Sequence, residues 1–167
     1  MKHLLRTLAL STALLLAVAS HAADLSITAS AVVPSANAEI NEATAGATIT
    51  AGQLIYLDSS DLDTKSRPKA KLADANSATA AVRSVAGIAI NGASAGQRVS
   101  YVYKDPALAI AASGLTAGTI YGLSATAGGL APSADFTTGW YVSVVAIAKS
   151  ATTIYFSAPG LVVGAAL

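Results

Sequence analysis

The sequence predicts an all-β protein, a small β-barrel or β-sandwich with room for one short helix. Three observations predict it. From Gly118 to Ser157 the chain reads as a short strand, a Gly-Gly/Pro turn region, a long apolar strand, a tight turn and a final strand. Short strand-like runs follow one another closely along the whole chain, separated by Gly, Pro and Asn turn formers, which is the pattern of barrels and sandwiches. A fainter copy of the Gly118–Ser157 pattern lies upstream, from Gly52 to Val102.

Taken in order, the chain begins with a basic start at Lys2, His3 and Arg6 and an apolar run from Thr7 to Ala19. Ser20-His21-Ala22 then places small residues where a signal peptidase cuts. This is the grammar of an export signal over residues 1–22, and the run is short for a membrane span, which needs about 20 apolar residues. The other reading of this flank is an uncleaved anchor or an N-terminal helical arm. Cleavage after Ala22 leaves an N-terminal strand and loop at 23–48, a candidate arm, and a β domain at 49–167, long enough for one core.

Leu25 to Val33 alternates, with Leu25, Ile27, Ala29, Ala31 and Val33 on one face, as in a half-buried strand ended by Pro34. Residues 35–46 read as a polar loop. Ile49 to Leu57 is the next strand, with Gly52 near its start. Asp58 to Asp63, then Lys65, Arg67, Lys69 and Lys71, form a charged excursion facing water. Ala73 to Ala81 is the helix candidate, since alanine is the best helix former. Val85 to Ile90 is a strand closing on Asn91-Gly92, a turn pair that favours positive φ. Arg98 to Tyr103 is another strand, punctuated by Asp105-Pro106, and Leu108 to Ala112 is a further small-residue apolar run.

Two matches suggest a duplication. Thr50-Ala-Gly-Gln-Leu-Ile55 resembles Thr116-Ala-Gly-Thr-Ile-Tyr121, and Val85 to Ala89 echoes Val144 to Ala148, although the two matches need a gap between them. The strand from Trp140 to Ala148 is apolar on both sides. Trp140, Val142, Val144, Ala146 and Ala148 lie on one and Tyr141, Ser143, Val145 and Ile147 on the other, so cover is expected on both faces. One cover is the opposite wall of the domain; a neighbouring subunit could supply the other. Trp140 and Tyr141 read as core and interface anchors.

Composition narrows the function. Only 11% of the 167 residues are charged and the formal net charge is +1, which turns slightly negative once Lys2 and Arg6 are removed. Nothing in that balance attracts nucleic acid or an acidic membrane. There is no cysteine, and both histidines and the one methionine precede the expected cut. The mature chain would thus lack a thiolate, an imidazole and every soft metal ligand.

Asp58, Asp61 and Asp63 gather oxygens as a hard cation requires, but they lack the mid-loop glycine and terminal glutamate of a calcium loop, and Lys65 and Arg67 compete for them. Asp105 and Asp135 could in principle be a glycosidase pair, yet each sits beside a proline where aspartate makes local turn bonds. Gly114, Gly118, Gly122, Gly128 and Gly129 have neither phosphate-loop nor dinucleotide spacing. No catalytic, cofactor-binding or metal residue is assigned, and the chain is read as a non-enzyme.

Thr50-Ala-Gly-Gln-Leu-Ile, Thr116-Ala-Gly-Thr-Ile-Tyr with Gly128-Gly-Leu130, and Gly139-Trp-Tyr-Val followed by Val145-Ala-Ile-Ala148 resemble the small head-decoration (capsid cement) proteins of tailed bacteriophages. The resemblance covers about Ile49 to Ser157. It implies a compact β-barrel or sandwich, often trimeric, that binds major capsid subunits in the virion and performs no chemistry. Ala146-Ile147-Ala148 stands where that family has an Ile-Gly-like step. The export signal is the larger departure, because capsids assemble in the cytoplasm. The alternative expectation is an exported periplasmic or cell-surface β-module, adhesive or fibre-forming, with no stable membrane insertion after processing.

Overall fold

Strands are the dominant regular structure, and one four-residue α-helix interrupts them. The computed structural model describes residues 24–162; the expected export signal at 1–22 lies outside the described residues. The elements are β1 (Ser26–Ile27), β2 (Glu39–Thr44), β3 (Leu54–Leu62), β4 (Pro68–Leu72), α1 (Ala80–Arg83), β5 (Gly87–Ala89), β6 (Arg98–Ala109), β7 (Ala112–Ser113), β8 (Ile120–Leu123), β9 (Leu130–Pro132), β10 (Ser143–Ala148) and β11 (Thr153–Val162). Nine strands form one curled antiparallel sheet in the order β4-β3-β5-β6-β11-β10-β8-β9, with β2 also beside β6, while β1 pairs with β7. The predicted all-β, barrel-like class is the observed one.

That order reads the same from both ends, and the hydrogen bonds show why. Gly52 N–H donates to Ala89 O and Ala89 N–H to Gln53 O, at 2.8 and 2.9 Å. Gly118 N–H donates to Ala148 O and Ala148 N–H to Thr119 O, at 2.8 and 3.0 Å. The registers match as well: Leu54 faces Ile88 and Ile88 faces Val102, while Ile120 faces Ile147 and Ile147 faces Tyr155. Gly52 and Gly118 hold φ of +92° and +83°, which the turn before each strand requires and which glycine adopts without a Cβ clash. The two matches in the sequence are thus one structural unit used twice. The first unit is β2-β3-β4-β5 and the start of β6; the second is the end of β6 with β8, β9, β10 and β11.

The boundary between the units falls inside β6, which explains its 12-residue length. Its first half is the last strand of one unit and its second half the first strand of the next. At the join, β6 continues through Asp105 and Pro106 instead of stopping there. The ladder to β11 changes register opposite that point, between Ile154 and Phe156. Such an irregularity accommodates a residue that has no N–H to give.

Each unit curls on itself. In the first, Ala45 bridges to Ala70 and Gly46 N–H donates to Ala70 O, tying the end of β2 to β4 around Ile49, Ile55, Ala89, Val99 and Tyr101. In the second, the N-terminal strand fills the corresponding gap: β1 pairs with β7, and Leu25 N–H donates to Leu130 O on β9. The second core includes Leu115, Tyr121, Ile154 and Phe156, and it runs on to the outer face of the first unit at Leu54, Ile88 and Val102. Arg83 on α1 stacks 3.4 Å above the Tyr141 ring, and Tyr141 N–H donates to Ala75 O, so both ties cross between units.

Several expectations are corrected. The alternation from Leu25 to Val33 is broken by a 3-10 turn at Ala29–Ala31, which shifts the phase so that Val32 is buried and Val33 is 54% exposed. Residues 35–46 are not all loop, because Glu39–Thr44 is β2, bound along β6. The charged stretch is a hairpin, β3 and β4, rather than an irregular excursion. The helix sits at Ala80–Arg83, later than the alanine content suggested. Asn91 and Gly92 do not adopt positive φ; Gly96, at +87°, makes the turn, and Asn91 instead accepts from Ser100 N–H through its side chain. The long strand begins at Ser143, not Trp140, and Ile147 on it is 44% exposed, so one of its faces is uncovered within this chain.

Candidate interaction surface

At the β3–β4 hairpin the charged side chains pair with one another. Asp58 accepts from Ser60 and from Lys71 Nζ (2.9 Å), and Asp61 pairs with Lys69 and Lys71 at 2.7 and 2.9 Å. Asp63 closes the hairpin tip: it accepts from the N–H groups of Lys65 and Arg67, from the Thr44 hydroxyl, and from Arg67 Nε and Nη2. A carboxylate so engaged has little left for a cation, and among the described residues no group of three or more acidic side chains is placed to hold a metal.

These bonds fix the charge state. The Ser60 hydroxyl and Lys71 hold Asp58 well below the ordinary carboxylate range; Lys69 and Lys71 lower Asp61; the Arg67 backbone N–H and then its side chain lower Asp63. Each folded-state value lies below the unfolded one, about 3.9. The stability they add is therefore present above about pH 4 and is lost as pH falls through the depressed values. The melting temperature is expected to be level from about pH 6 to 5 and to fall below about 4. Asp63→Ala should flatten that acid limb in a calorimetric pH series. A variant whose melting curve runs parallel to the parent's down to acid pH would rule the hairpin carboxylates out.

Asp105 and Asp135, the pair tested for glycoside chemistry, are both inside the protein, at 0% and 4% exposure. Neither can meet a polysaccharide as acid or base. Asp105 Oδ2 accepts from Ser35 N–H (2.8 Å), and its Oδ1 from the Ser35 hydroxyl (2.5 Å) and Ala107 N–H (2.8 Å), pinning the segment before β2 onto the join between units. Asp135 lies in the 3-10 turn between β9 and β10, and its Oδ2 has no hydrogen-bond partner among the described residues. Of the glycines, Gly114, Gly118 and Gly128 serve turns at positive φ, and Gly122 lies within β8 against Phe136 and Ser143.

What the surface offers is apolar. Val33, Ile40, Leu62, Ile120, Ile147 and Tyr155 are each between 38% and 54% exposed. They fall in different places. Ile40 lies on β2, whose first four residues are all exposed, and Val33 follows along the same edge of β6. Ile120, Ile147 and Tyr155 are direct cross-strand neighbours on β8, β10 and β11. The sequence placed Ile147 on a face needing cover, but it missed β2 because Glu39, Asn41 and Glu42 read as loop. Trp140 is half-buried, packs against the core and lies 6.2 Å from Phe136, so it anchors the interior. No helix among the described residues is long and apolar enough to cross a membrane. No family model matches the chain, and neither does any curated protein or solved structure.

Proposed function

We propose that this chain is a non-enzymatic structural protein of the phage virion, a capsid decoration or cement protein that stabilises the shell by binding major capsid subunits. The observation that supports this reading is β2. Among the described residues its strand ladder is to β6, and it exposes Glu39 to Glu42 with the apolar Ile40 among them. A strand of this kind offers backbone donors and acceptors together with apolar side chains, the means by which one sheet protein clamps another. With Asp105 and Asp135 buried and the hairpin charges paired, apolar contact and fit are left as the main source of binding. Purified protein is expected to add to expanded capsids of its source to a saturating stoichiometry. Ile40→Lys should weaken that binding by about tenfold or more, as for an anchor lost from an interface centre. No affinity for any such capsid would end this reading.

The export pattern at Lys2 to Ala22 favours a second reading, an exported periplasmic or cell-surface β-module with an adhesive or fibre-forming role. Fractionation separates the two. Processed protein in the periplasm or medium supports export, whereas full-length protein in phage particles supports the virion. In both, the protein is a homo-oligomer that works without a cofactor.

A further inference from the structure

We propose that the outer face of β8, β10 and β11 is the self-association surface of this protein, where a second copy packs row against row about a two-fold axis. The internal duplication carries the inference. The row Leu54–Ile88–Val102 in the first unit occupies the same register positions as Ile120–Ile147–Tyr155 in the second. All three members of the first row are 0% exposed, buried in one cluster with Leu123, Val145 and Phe156 of the second unit. The three members of the second row are 42%, 44% and 38% exposed. The same row in the same sheet position is thus covered once, by this chain's own material, and left bare once.

Charge says what kind of partner fits. β8, β10 and β11 contain no Asp, Glu, Lys or Arg, so a nucleic acid or an anionic membrane has nothing to pair with there. Lys149, just beyond β10, is turned onto Pro106 O at 2.9 Å. Two copies meeting on this face bring no like charges together and strand no ion, which a charged partner would do. Edge-to-edge pairing is disfavoured by the sheet ends: β4 carries Pro68, Lys69 and Lys71, and β9 is three residues long and ends in Pro132. The exposed strand β2 is taken by the capsid contact proposed above, which leaves face packing for self-association.

Size sets the strength. Three strands about 4.8 Å apart and about 20 Å long present a face of roughly 300 Å². That is well short of the about 800 Å² per partner of a standard stable complex, so a weak dimer is expected, in the high-micromolar range. Isologous contact puts Ile147 near the axis, where one substitution acts twice.

The inference goes beyond the decoration reading, and its test uses the isolated protein without capsid, so either can fail alone. Sedimentation velocity from low to high micromolar protein should show a reversible monomer–dimer equilibrium. Ile147→Lys should raise the dissociation constant about tenfold or more, and Tyr155→Ser should also weaken it, as for central interface residues. Leu62→Lys, equally exposed on β3, should leave it unchanged. Because Ile147 and Tyr155 are partly exposed, unchanged melting of the monomers checks that the variants fold. A protein that stays monomeric throughout overturns the proposal, as does a dimer indifferent to both row variants. Loss of capsid binding in Ile147→Lys with self-association intact would overturn it too, in favour of a capsid subunit on this face.

Discussion

Replacing Asp105 with asparagine is expected to destabilise the fold by about 3 kcal/mol, although the two side chains share a shape. Asp105 is fully buried and uses both oxygens as acceptors, from Ser35 N–H and hydroxyl and from Ala107 N–H. An asparagine keeps one oxygen. If that oxygen serves the Ser35 hydroxyl and Ala107, its amide N–H₂ faces the Ser35 N–H, and two donors meet in a place that water does not reach. The reverse flip strands Ala107. Each unsatisfied buried donor costs about 1–3 kcal/mol, and the lost charge removes the stronger form of the bonds that remain. A total near 3 kcal/mol corresponds to a melting temperature lower by about 10 °C for a domain of this size. The loss should be local first: the segment from Val33 through β2 should exchange its amide hydrogens faster, while β10 and β11 keep their protection. An Asp105→Asn protein that melts with the parent and protects β2 equally would show that this carboxylate holds nothing.

What the sequence made legible follows from which forces are local. Strands were readable where turn formers bound short β-branched and aromatic runs, as at β5, β8 and β11. They were unreadable where a partner supplies the reason for extension. Glu39-Ile-Asn-Glu42 has no alternation and only one large apolar residue, and it is a strand because β6 gives it a ladder. The helix was misplaced because alanine propensity, a few tenths of a kcal/mol per residue, is weaker than the tertiary bonds that use Ala73 and Ala75 as sheet-edge donors to Leu54 O and Ser124 O. Pro106 was read as a stop because its missing N–H ends most ladders, but at the join of two units a register change absorbs it. The duplication itself was legible only as two short matches. The gap between them arises from loops of different length, and only the paired Gly52 and Gly118 hydrogen bonds align the halves.

The candidate surface was half legible. Parity put Ile147 on one face with Ser143 and Val145, but those two are buried while Ile147 is exposed, because the register slip between Val144 and Ala146 breaks the alternation, and that slip has no signal in the sequence. Which of the two equivalent rows would be covered within the chain was not legible. That depends on how one unit sits on the other, set by contacts such as Arg83 on Tyr141 and the bonds from Ala75, none of which has a local signature. The acidic residues were read as solvated charges or turn formers. That holds for Asp58 and Asp61 at the hairpin, whereas the burial of Asp105 and Asp135 had no signal at all in a chain read without its partners.

Gly87→Ala is expected to be among the most damaging single-methyl changes in the sheet. Gly87 is in the middle unit strand of three residues, paired to Ile55, and fully buried. A Cβ there would lie 2.5 Å from Val102 O and against the Tyr101 ring. The ring could turn, but the carbonyl belongs to the ladder between β5 and β6, so relief requires the two strands to part. Overpacking of this kind costs about 1–3 kcal/mol, and more where backbone must move, so a loss of about 3 kcal/mol or an insoluble protein is expected. The second unit shows what relief looks like. Ala146 occupies the position of Gly87, and there the ladder slips between Val144 and Ala146, making room for the methyl group. Gly92→Ala is the matched control, since its Cβ would meet only Ile49 O at 3.7 Å and its φ is not left-handed. That change should be neutral or stabilising by about 0.4–1 kcal/mol through the unfolded chain. Equilibrium urea unfolding of the two variants decides the matter. If Gly87→Ala unfolds at the same midpoint as Gly92→Ala, then β5 has slack to bulge as β10 does, and the close approach at Gly87 is no constraint on this sheet.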